Sequence, residues 1–139
     1  KWYSSFHICN RHSKILFWSL IMKTPWTEIV IETKHYTVYK DGYPVTEGHL
    51  LFVPKNETWE CLAYCYKAAY GWGYDWVQNK ICDGFNIGQN VGEAAGQTVL
   101  YPHVHLIPRK KGDMEDPRGG VRNVIPSKGN YLTSKESDE

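Results

Sequence analysis

The chain has 139 residues, 42% of them hydrophobic and 14% aromatic, with a formal net charge of +1. This length supports one domain with its own hydrophobic core, and the small net charge gives no electrostatic basis for binding nucleic acid or a membrane surface. The four cysteines do not form a dense disulfide framework, which indicates a reducing, cytoplasmic location.

Residues 1–25 form an N-terminal extension whose role the sequence does not define. Its apolar run ILFWSLIM, residues 15–22, is too short to span a bilayer, and no small-residue cleavage site of a signal peptide follows it. Cys9 and His12 have the spacing of half a zinc site, but no second such pair exists. We interpret the run as an element packed on the domain or as a surface for a partner, and the sequence leaves both open.

Three strands are predicted in the next part of the chain. Residues 27–33 and 35–40 are β-rich alternating runs, and their short separation indicates an antiparallel hairpin. The composition of DGYP at 41–44 predicts a turn, and HLLFVP at 49–54 predicts the third strand.

The main helix is predicted to follow this third strand. Five residues recur at helical spacing: Trp59, Leu62, Ala63, Tyr66 and Ala69. Gly71 and Gly73 predict that the helix weakens or ends near residue 70, before a second short piece at 74–78.

Two more strands are predicted, at 81–88 and 100–108, joined by the glycine-rich loop GQNVGEAAGQT, residues 88–98. The charged, Gly- and Pro-rich remainder predicts an irregular arm that ends in a flexible tail at 127–139. The order β-β-β-α-β-β predicts an α+β domain over residues 26–126. It should consist of a five-stranded antiparallel sheet with one main helix packed on one face.

Two histidines lie on one face of the last predicted strand. Side chains alternate along a strand, so His103 and His105 point to the same side together with Tyr101, whereas Val104 and Leu106 point to the other. The helix is expected to cover the apolar side. The imidazoles should therefore lie on the open face of the sheet.

Three explanations fit this pair of histidines. They are residues of a solvated sheet face without a role, ligands of a metal site completed by His49, or a nucleophile with its supporting donor in an attack on phosphorus. The preceding loop favours the third. Its glycines allow backbone N–H groups to approach an anion, and Gln97 and Thr98 add side-chain donors.

Two stretches resemble the signatures of the histidine triad (HIT) superfamily: GQTVLYPHVHLIPR at 96–109 and DGYPVTEGHLLFVP at 41–54. The similarity runs from about residue 27 to about residue 109, with a weaker continuation through 116–126. It implies the fold predicted above, with two copies joined by dimerisation into a ten-stranded sheet.

The resemblance also implies roles for individual residues. His103 matches the nucleophile that attacks the α-phosphorus, and His105 and His49 match histidines that support the phosphate site. Tyr101 takes the place of the first triad histidine and is expected to contact the substrate, because a phenol can donate a hydrogen bond while it stays neutral. The other implied contacts are Thr98, Gln97 and Asn90 at the phosphates or the leaving group, Asp41 at the ribose hydroxyls, and Tyr39 at the base.

The function implied is that of a nucleotide hydrolase or nucleotidyl transferase. It would act at the α-phosphate of a nucleoside phosphoramidate or a dinucleoside polyphosphate through a covalent nucleotidyl-histidine. No cofactor is required, with Mg²⁺ entering only as a companion of the substrate. No zinc is expected, because the N-terminal CxxC and the first histidine that supply its ligands in some members are both absent. The alternative is a nucleotide-binding regulatory protein with weak or no turnover.

Overall fold

The structure, a computed structural model, describes residues 24–133 of the chain. The predictions made for residues 1–23 and 134–139 lie outside the described residues. Five strands and one long helix account for most of the described part, and the strands are β1 Ile29–Glu32, β2 Tyr36–Lys40, β3 Leu50–Pro54, β4 Gly84–Gly88 and β5 Val104–Arg109.

All five strands belong to one sheet in the order β1-β2-β3-β5-β4, and every neighbouring pair is antiparallel. The helix α1, Trp59–Gln78, connects β3 to β4. The prediction of an α+β fold with a five-stranded antiparallel sheet and one main helix is therefore confirmed.

The last two strands begin later than predicted, at Gly84 and Val104 rather than at residues 81 and 100. The backbone N–H of Ile81 still donates to the Trp76 carbonyl, 2.8 Å away, so residue 81 belongs to the exit of the helix. Before β5, Pro102 has no N–H with which to extend the ladder.

The helix α1 has 20 residues and begins at Thr58, whose hydroxyl accepts a hydrogen bond from the Cys61 N–H at 3.2 Å. It continues through Gly71 and Gly73, so the predicted end near residue 70 was wrong. Gly73 is buried against β4, where the helix comes so close that a Cβ atom would lie 2.6 Å from the ring of Phe85. Tertiary packing of this kind outweighs the low helix propensity of glycine.

This close approach predicts opposite effects at the two glycines. We expect Gly73→Ala to lower the free energy of unfolding by about 1–3 kcal/mol, because the new methyl group overlaps the Phe85 ring. Gly71→Ala is the matched control, since nothing lies within 4 Å of its Cβ position, and it should stabilise by about 0.5–1 kcal/mol. Urea denaturation measures both, and stabilisation by both substitutions would contradict the packing.

The hydrophobic core lies between α1 and one face of the sheet. Its buried residues are Val38, Leu50, Phe52, Cys65, Ala69, Val104 and Leu106. Trp72 packs edge-on against Phe52, with ring centroids 5.4 Å apart. Trp59, which shares the helical spacing of the predicted inner face, is instead 77% exposed in the first turn of the helix. The other face of the sheet is left for the histidines.

The C-terminal arm contains two short helices that its composition did not indicate, a 3-10 turn at Gly120–Val124 and α2 at Pro126–Gly129. Gly119 has a φ of 91° and touches the Gly129 carbonyl, where a side chain would not fit. Within residues 24–133, no helix combines the length and the apolar character needed to cross a membrane.

Candidate active site

The histidine cluster is assembled from three adjacent strands. His49 lies immediately before β3 and is buried, and His105 lies on β5, opposite Leu51 of β3. His103 immediately precedes β5, and Asp41 follows β2 on the other side of β3. The structure therefore brings His49, His103, His105 and Asp41 together on the face opposite α1. The alternation of side chains predicted a common face for His103 and His105.

The hydrogen bonds of His49 determine where its proton lies. The Val45 backbone N–H donates to His49 Nδ1 at 3.1 Å, so Nδ1 is an acceptor and the proton is on Nε2. That Nε2 lies 2.9 Å from His105 Nδ1 and 3.4 Å from Asp41 Oδ2. His49 therefore donates to His105 Nδ1, which leaves the His105 proton on Nε2 as a donor for a ligand.

Both histidines are held in the neutral form. Burial lowers the pKa of His49, an effect that the carboxylate of Asp41 opposes. Burial, reinforced by the neighbouring His103 and His49, lowers the pKa of His105 to about 4. Neutral rings at pH 7 are what the donor–acceptor order described above requires.

This depressed pKa predicts a pH-dependent stability. As the pH drops below 6.5, the unfolded chain binds a proton at residue 105, whereas the folded protein binds this proton only near pH 4. The free energy of unfolding therefore decreases as the pH is lowered from 6.5 to about 4. We expect urea denaturation to show a loss of about 1–2 kcal/mol from this residue between pH 7.5 and 4.5, because solvent around the half-buried ring screens part of the effect. A His105→Gln variant should show a correspondingly smaller loss, and equal losses in the two proteins would contradict the assignment.

His103 has the orientation of a nucleophile. Its Nδ1 lies 2.8 Å from the Tyr101 carbonyl oxygen, which can only accept, so Nδ1 carries the proton and Nε2 has a free lone pair. The ring is only 8% exposed, and its centroid lies 5.1 Å from that of His105. One backbone carbonyl thus determines both the tautomer and the direction of Nε2.

Trp26 is a site residue that sequence reasoning missed. Its ring centroid lies 4.8 Å from that of His103 and 5.9 Å from that of Tyr39. It precedes β1 and belongs to no periodic pattern, so only its size and its place just before the first strand could have drawn attention to it. Together with Tyr39 it forms an aromatic wall beside His103.

Tyr101 has its hydroxyl engaged in the fold. The phenol donates to the Pro54 carbonyl at 2.8 Å, at the end of β3. Burial, and to a smaller extent the carboxylate of Glu57, raises the pKa of Tyr101 to about 12, so the phenol stays neutral. The hydroxyl predicted to contact substrate is thus directed to backbone, while the carbonyl of the same residue orients His103.

Some polar side chains of the glycine-rich loop are free to bind a ligand, and another is bonded to the loop itself. It turns at Gly92 and Gly96, whose φ values are 91° and 85°. The hydroxyl of Thr98 and the amide of Asn90 form no hydrogen bond with another side chain or backbone group among residues 24–133, and are available to a ligand. The amide of Gln97, in contrast, is bonded to backbone groups of the loop itself.

Asp41, His49 and His105 also meet the spacing of a metal site, with one ligand atom from each lying within 4.8 Å of the others. A metal on His49 Nε2 would move the His49 proton to Nδ1, where it would face the Val45 N–H that donates to this atom now. The hydrogen bonds therefore favour a proton-ordered histidine pair over a metal site at these residues.

Comparison with known proteins identifies the family. The HIT domain profile matches residues 24–112, well over half of the chain. The chain belongs to the HIT family. An uncharacterised HIT-like protein of Rickettsia prowazekii is 30% identical over 109 residues, which cover 69% of this chain and 88% of the relative.

Two further HIT relatives carry more informative names. The crystal structure of a hypothetical histidine triad nucleotide-binding protein of Sulfolobus tokodaii matches with a TM-score of 0.56 and 30% identity, covering 73% of this chain and 72% of that one. An adenylylsulfatase of Arabidopsis thaliana, HINT3, is 36% identical over 80 residues, which cover 52% of this chain and 41% of the plant protein.

Proposed function

We propose that this HIT protein is a nucleotide hydrolase or nucleotidyl transferase acting at the α-phosphate of a nucleoside phosphoramidate or dinucleoside polyphosphate. The observation that carries the proposal is the hydrogen bond from His103 Nδ1 to the Tyr101 carbonyl. This bond leaves Nε2 with a free lone pair and holds the ring in one orientation. The names of the two informative relatives, a nucleotide-binding protein and an adenylylsulfatase, support a nucleotide as the substrate.

The reaction proceeds in two displacements. The His103 Nε2 lone pair attacks the α-phosphorus, and the bond to the leaving group breaks with its electron pair on the departing oxygen or nitrogen, which takes a proton from solvent. Nδ1 keeps its proton, so the ring becomes a cation that the Tyr101 carbonyl stabilises. Water then attacks phosphorus, the N–P electron pair returns to Nε2, and the nucleoside monophosphate leaves as water gives its proton to solvent.

The surrounding residues stabilise the phosphate and hold the nucleoside. The His105 Nε2–H, together with Asn90 and Thr98, donates to the phosphate oxygens, whose charge is redistributed in the transition state. Asp41 accepts from the ribose hydroxyls, and Tyr39 lines the base pocket. Tyr101 replaces the first histidine of the triad, and it contributes its carbonyl rather than a second imidazole.

The test is incubation with nucleoside phosphoramidates and with dinucleoside polyphosphates, followed by measurement of nucleoside monophosphate release. Turnover of phosphoramidates in the presence of a chelator is expected, since no step uses a metal. A second candidate, a nucleotide-binding regulatory protein, is favoured by the Tyr101 hydroxyl being bound to Pro54 instead of completing a triad. Nucleotide binding without any release of monophosphate would select that alternative.

Asp41 gives a separate test of the nucleoside position. Its Oδ1 accepts from the Tyr43 N–H at 2.7 Å, which leaves Oδ2 for a ribose hydroxyl beside His49. We expect Asp41→Ala to raise KM more than it lowers kcat, because a lost charge-assisted hydrogen bond costs about 1.5–3 kcal/mol in binding. Steady-state kinetics measure this, with Asp113→Ala as a control. A loss in kcat alone would place the ribose elsewhere.

A symmetric dimer completes the proposal. Strand β4 lies at the sheet edge, and no other strand of residues 24–133 pairs with its outer side. Tyr70 and Tyr74 on the adjacent helix are 59% and 50% exposed, whereas Trp72 and Trp76 are partly buried against the core. Two β4 strands pairing across a two-fold axis would extend the sheet to ten strands and cover these tyrosines. A monomeric mass at micromolar concentration would reject the dimer.

A further inference from the structure

Gln97 closes the glycine-rich loop with its side chain. The Gly92 N–H donates to Gln97 Oε1 at 2.8 Å, and the Gln97 backbone N–H donates to the Gly92 carbonyl at 3.1 Å, so the two residues form a reciprocal pair. On its other side, Gln97 Nε2 donates to the carbonyls of Val99 and Leu100, at 3.1 and 2.9 Å. Both amide hydrogens are used, and none is left for a phosphate oxygen.

These hydrogen bonds connect the start of the loop with the chain that leads to the nucleophile. The Leu100 carbonyl belongs to the peptide unit immediately before Tyr101, and the Tyr101 carbonyl is the group that accepts from His103 Nδ1. Gly92 and Gly96 both have positive φ, so the loop backbone is intrinsically permissive and needs outside contacts to hold one shape. The Gln97 side chain supplies such contacts to Gly92, which precedes it, and to Val99 and Leu100, which follow it.

We infer that Gln97 is a positioning residue that acts through the loop and the Tyr101 carbonyl to hold His103 with Nδ1 protonated and Nε2 aimed at phosphorus. The positioning of His103 by these hydrogen bonds does not depend on the reaction that the protein catalyses. The effect on the reaction rate rests on the proposed function. The assignment differs from a substrate contact in where a substitution acts. A positioning residue changes the reactivity of His103, and a substrate contact changes the affinity for the nucleotide.

Two substitutions separate these roles. Gln97→Glu keeps the acceptor for the Gly92 N–H, but it removes both donors and places a carboxylate against two carbonyl oxygens. Gln97→Met keeps the length of the side chain and removes all three of its side-chain hydrogen bonds. Gln78→Glu, at the exposed end of α1, makes the same change of charge far from the loop and is the matched control.

Nitrogen NMR of the full chain measures the tautomer of the His103 ring and the hydrogen exchange of the Gly92 amide, and neither measurement requires turnover. In the parent protein and in Gln78→Glu, the His103 ring should be the Nδ1–H tautomer, and the Gly92 amide should be protected from hydrogen exchange. In both Gln97 variants the tautomers should be mixed and the Gly92 amide should exchange faster. An unchanged tautomer in both Gln97 variants would overturn the inference.

Kinetics provide the second readout. The single-turnover rate of nucleotidyl transfer to His103 should fall by about tenfold to a hundredfold in Gln97→Glu, since small misplacements of a reacting group have effects of this size. The Kd of the nucleoside monophosphate should stay within about twofold of the parent value, as expected for a group that does not touch the ligand. A Kd weakened in step with the rate would make Gln97 a substrate contact and overturn the inference. If the parent protein has no turnover while the His103 tautomers of both Gln97 variants become mixed as expected, the proposed function fails and the positioning role stands.

Discussion

Replacing His103 with Asn is expected to lower turnover by more than about a thousandfold while nucleotide binding is retained. Asn places an amide N–H where Nδ1 now donates to the Tyr101 carbonyl, so the local hydrogen bond survives and only the nucleophile is lost. His103→Ala removes both. Monophosphate release and nucleotide affinity measure the two effects. Rapid quenching in alkali should trap a nucleotide on the parent protein through a P–N bond that acid afterwards cleaves, and none on either variant.

The control for this experiment is His35→Asn. His35 is stacked on Tyr64, with ring centroids 4.0 Å apart, and packs between the β1–β2 turn and α1 rather than in the histidine cluster. Its replacement should leave the rate unchanged. A His103→Asn protein with the parent rate would reject the covalent mechanism, and the histidine pair would then be residues of a ligand site or of a solvated sheet face.

Replacing His105 with Asn is expected to lower kcat by about two to three orders of magnitude, the usual effect of removing one donor to a developing charge. The two ring nitrogens have different roles: Nδ1 accepts from His49, which leaves Nε2–H as the donor that we propose for the phosphate oxygens. Asn reaches only the position of Nδ1. Gln reaches the position of Nε2 and restores the outward donor, so His105→Gln should retain more activity than His105→Asn.

Steady-state kinetics of the two variants side by side test this donor–acceptor order. His49→Gln adds a third measurement, because it alters the partner of Nδ1 and leaves the His105 ring in place. If His105→Asn were the more active of the two, the ring would act mainly through the hydrogen bond between its Nδ1 and His49, and the role of Nε2–H as a donor to the phosphate would be rejected.

The strand that carries the histidines shows why part of the site could be predicted. Alternation along a strand is a local property, so Val104 and Leu106 had to face the helix if His103 and His105 faced away. The two quoted stretches also led to His49 and Asp41, which the fold places beside His105. The order of the five strands and the main helix followed from composition and periodicity for the same local reasons.

The length of the helix shows where local reasoning failed. Gly71 and Gly73 have low helix propensity, and the sequence alone predicted a break there. The break does not form because Gly73 lies against Phe85 of β4, a residue twelve positions further along the chain. A short stretch of sequence around Gly73 contains no information about its packing against a strand that follows later in the chain.

Periodicity within short segments was therefore enough to predict the α+β class, the antiparallel sheet and the face on which the imidazoles lie. The proton order of His49 and His105, the bond from Tyr101 to Pro54 and the contact of Trp26 with His103 became visible only in the folded protein. These contacts join residues far apart in the chain, 56 positions for the histidine pair and 47 for Tyr101 and Pro54. Whether a hydrogen bond forms depends on the donor–acceptor distance to within a few tenths of an ångström and on the angle at the hydrogen. The packing of the folded sheet sets both of these quantities.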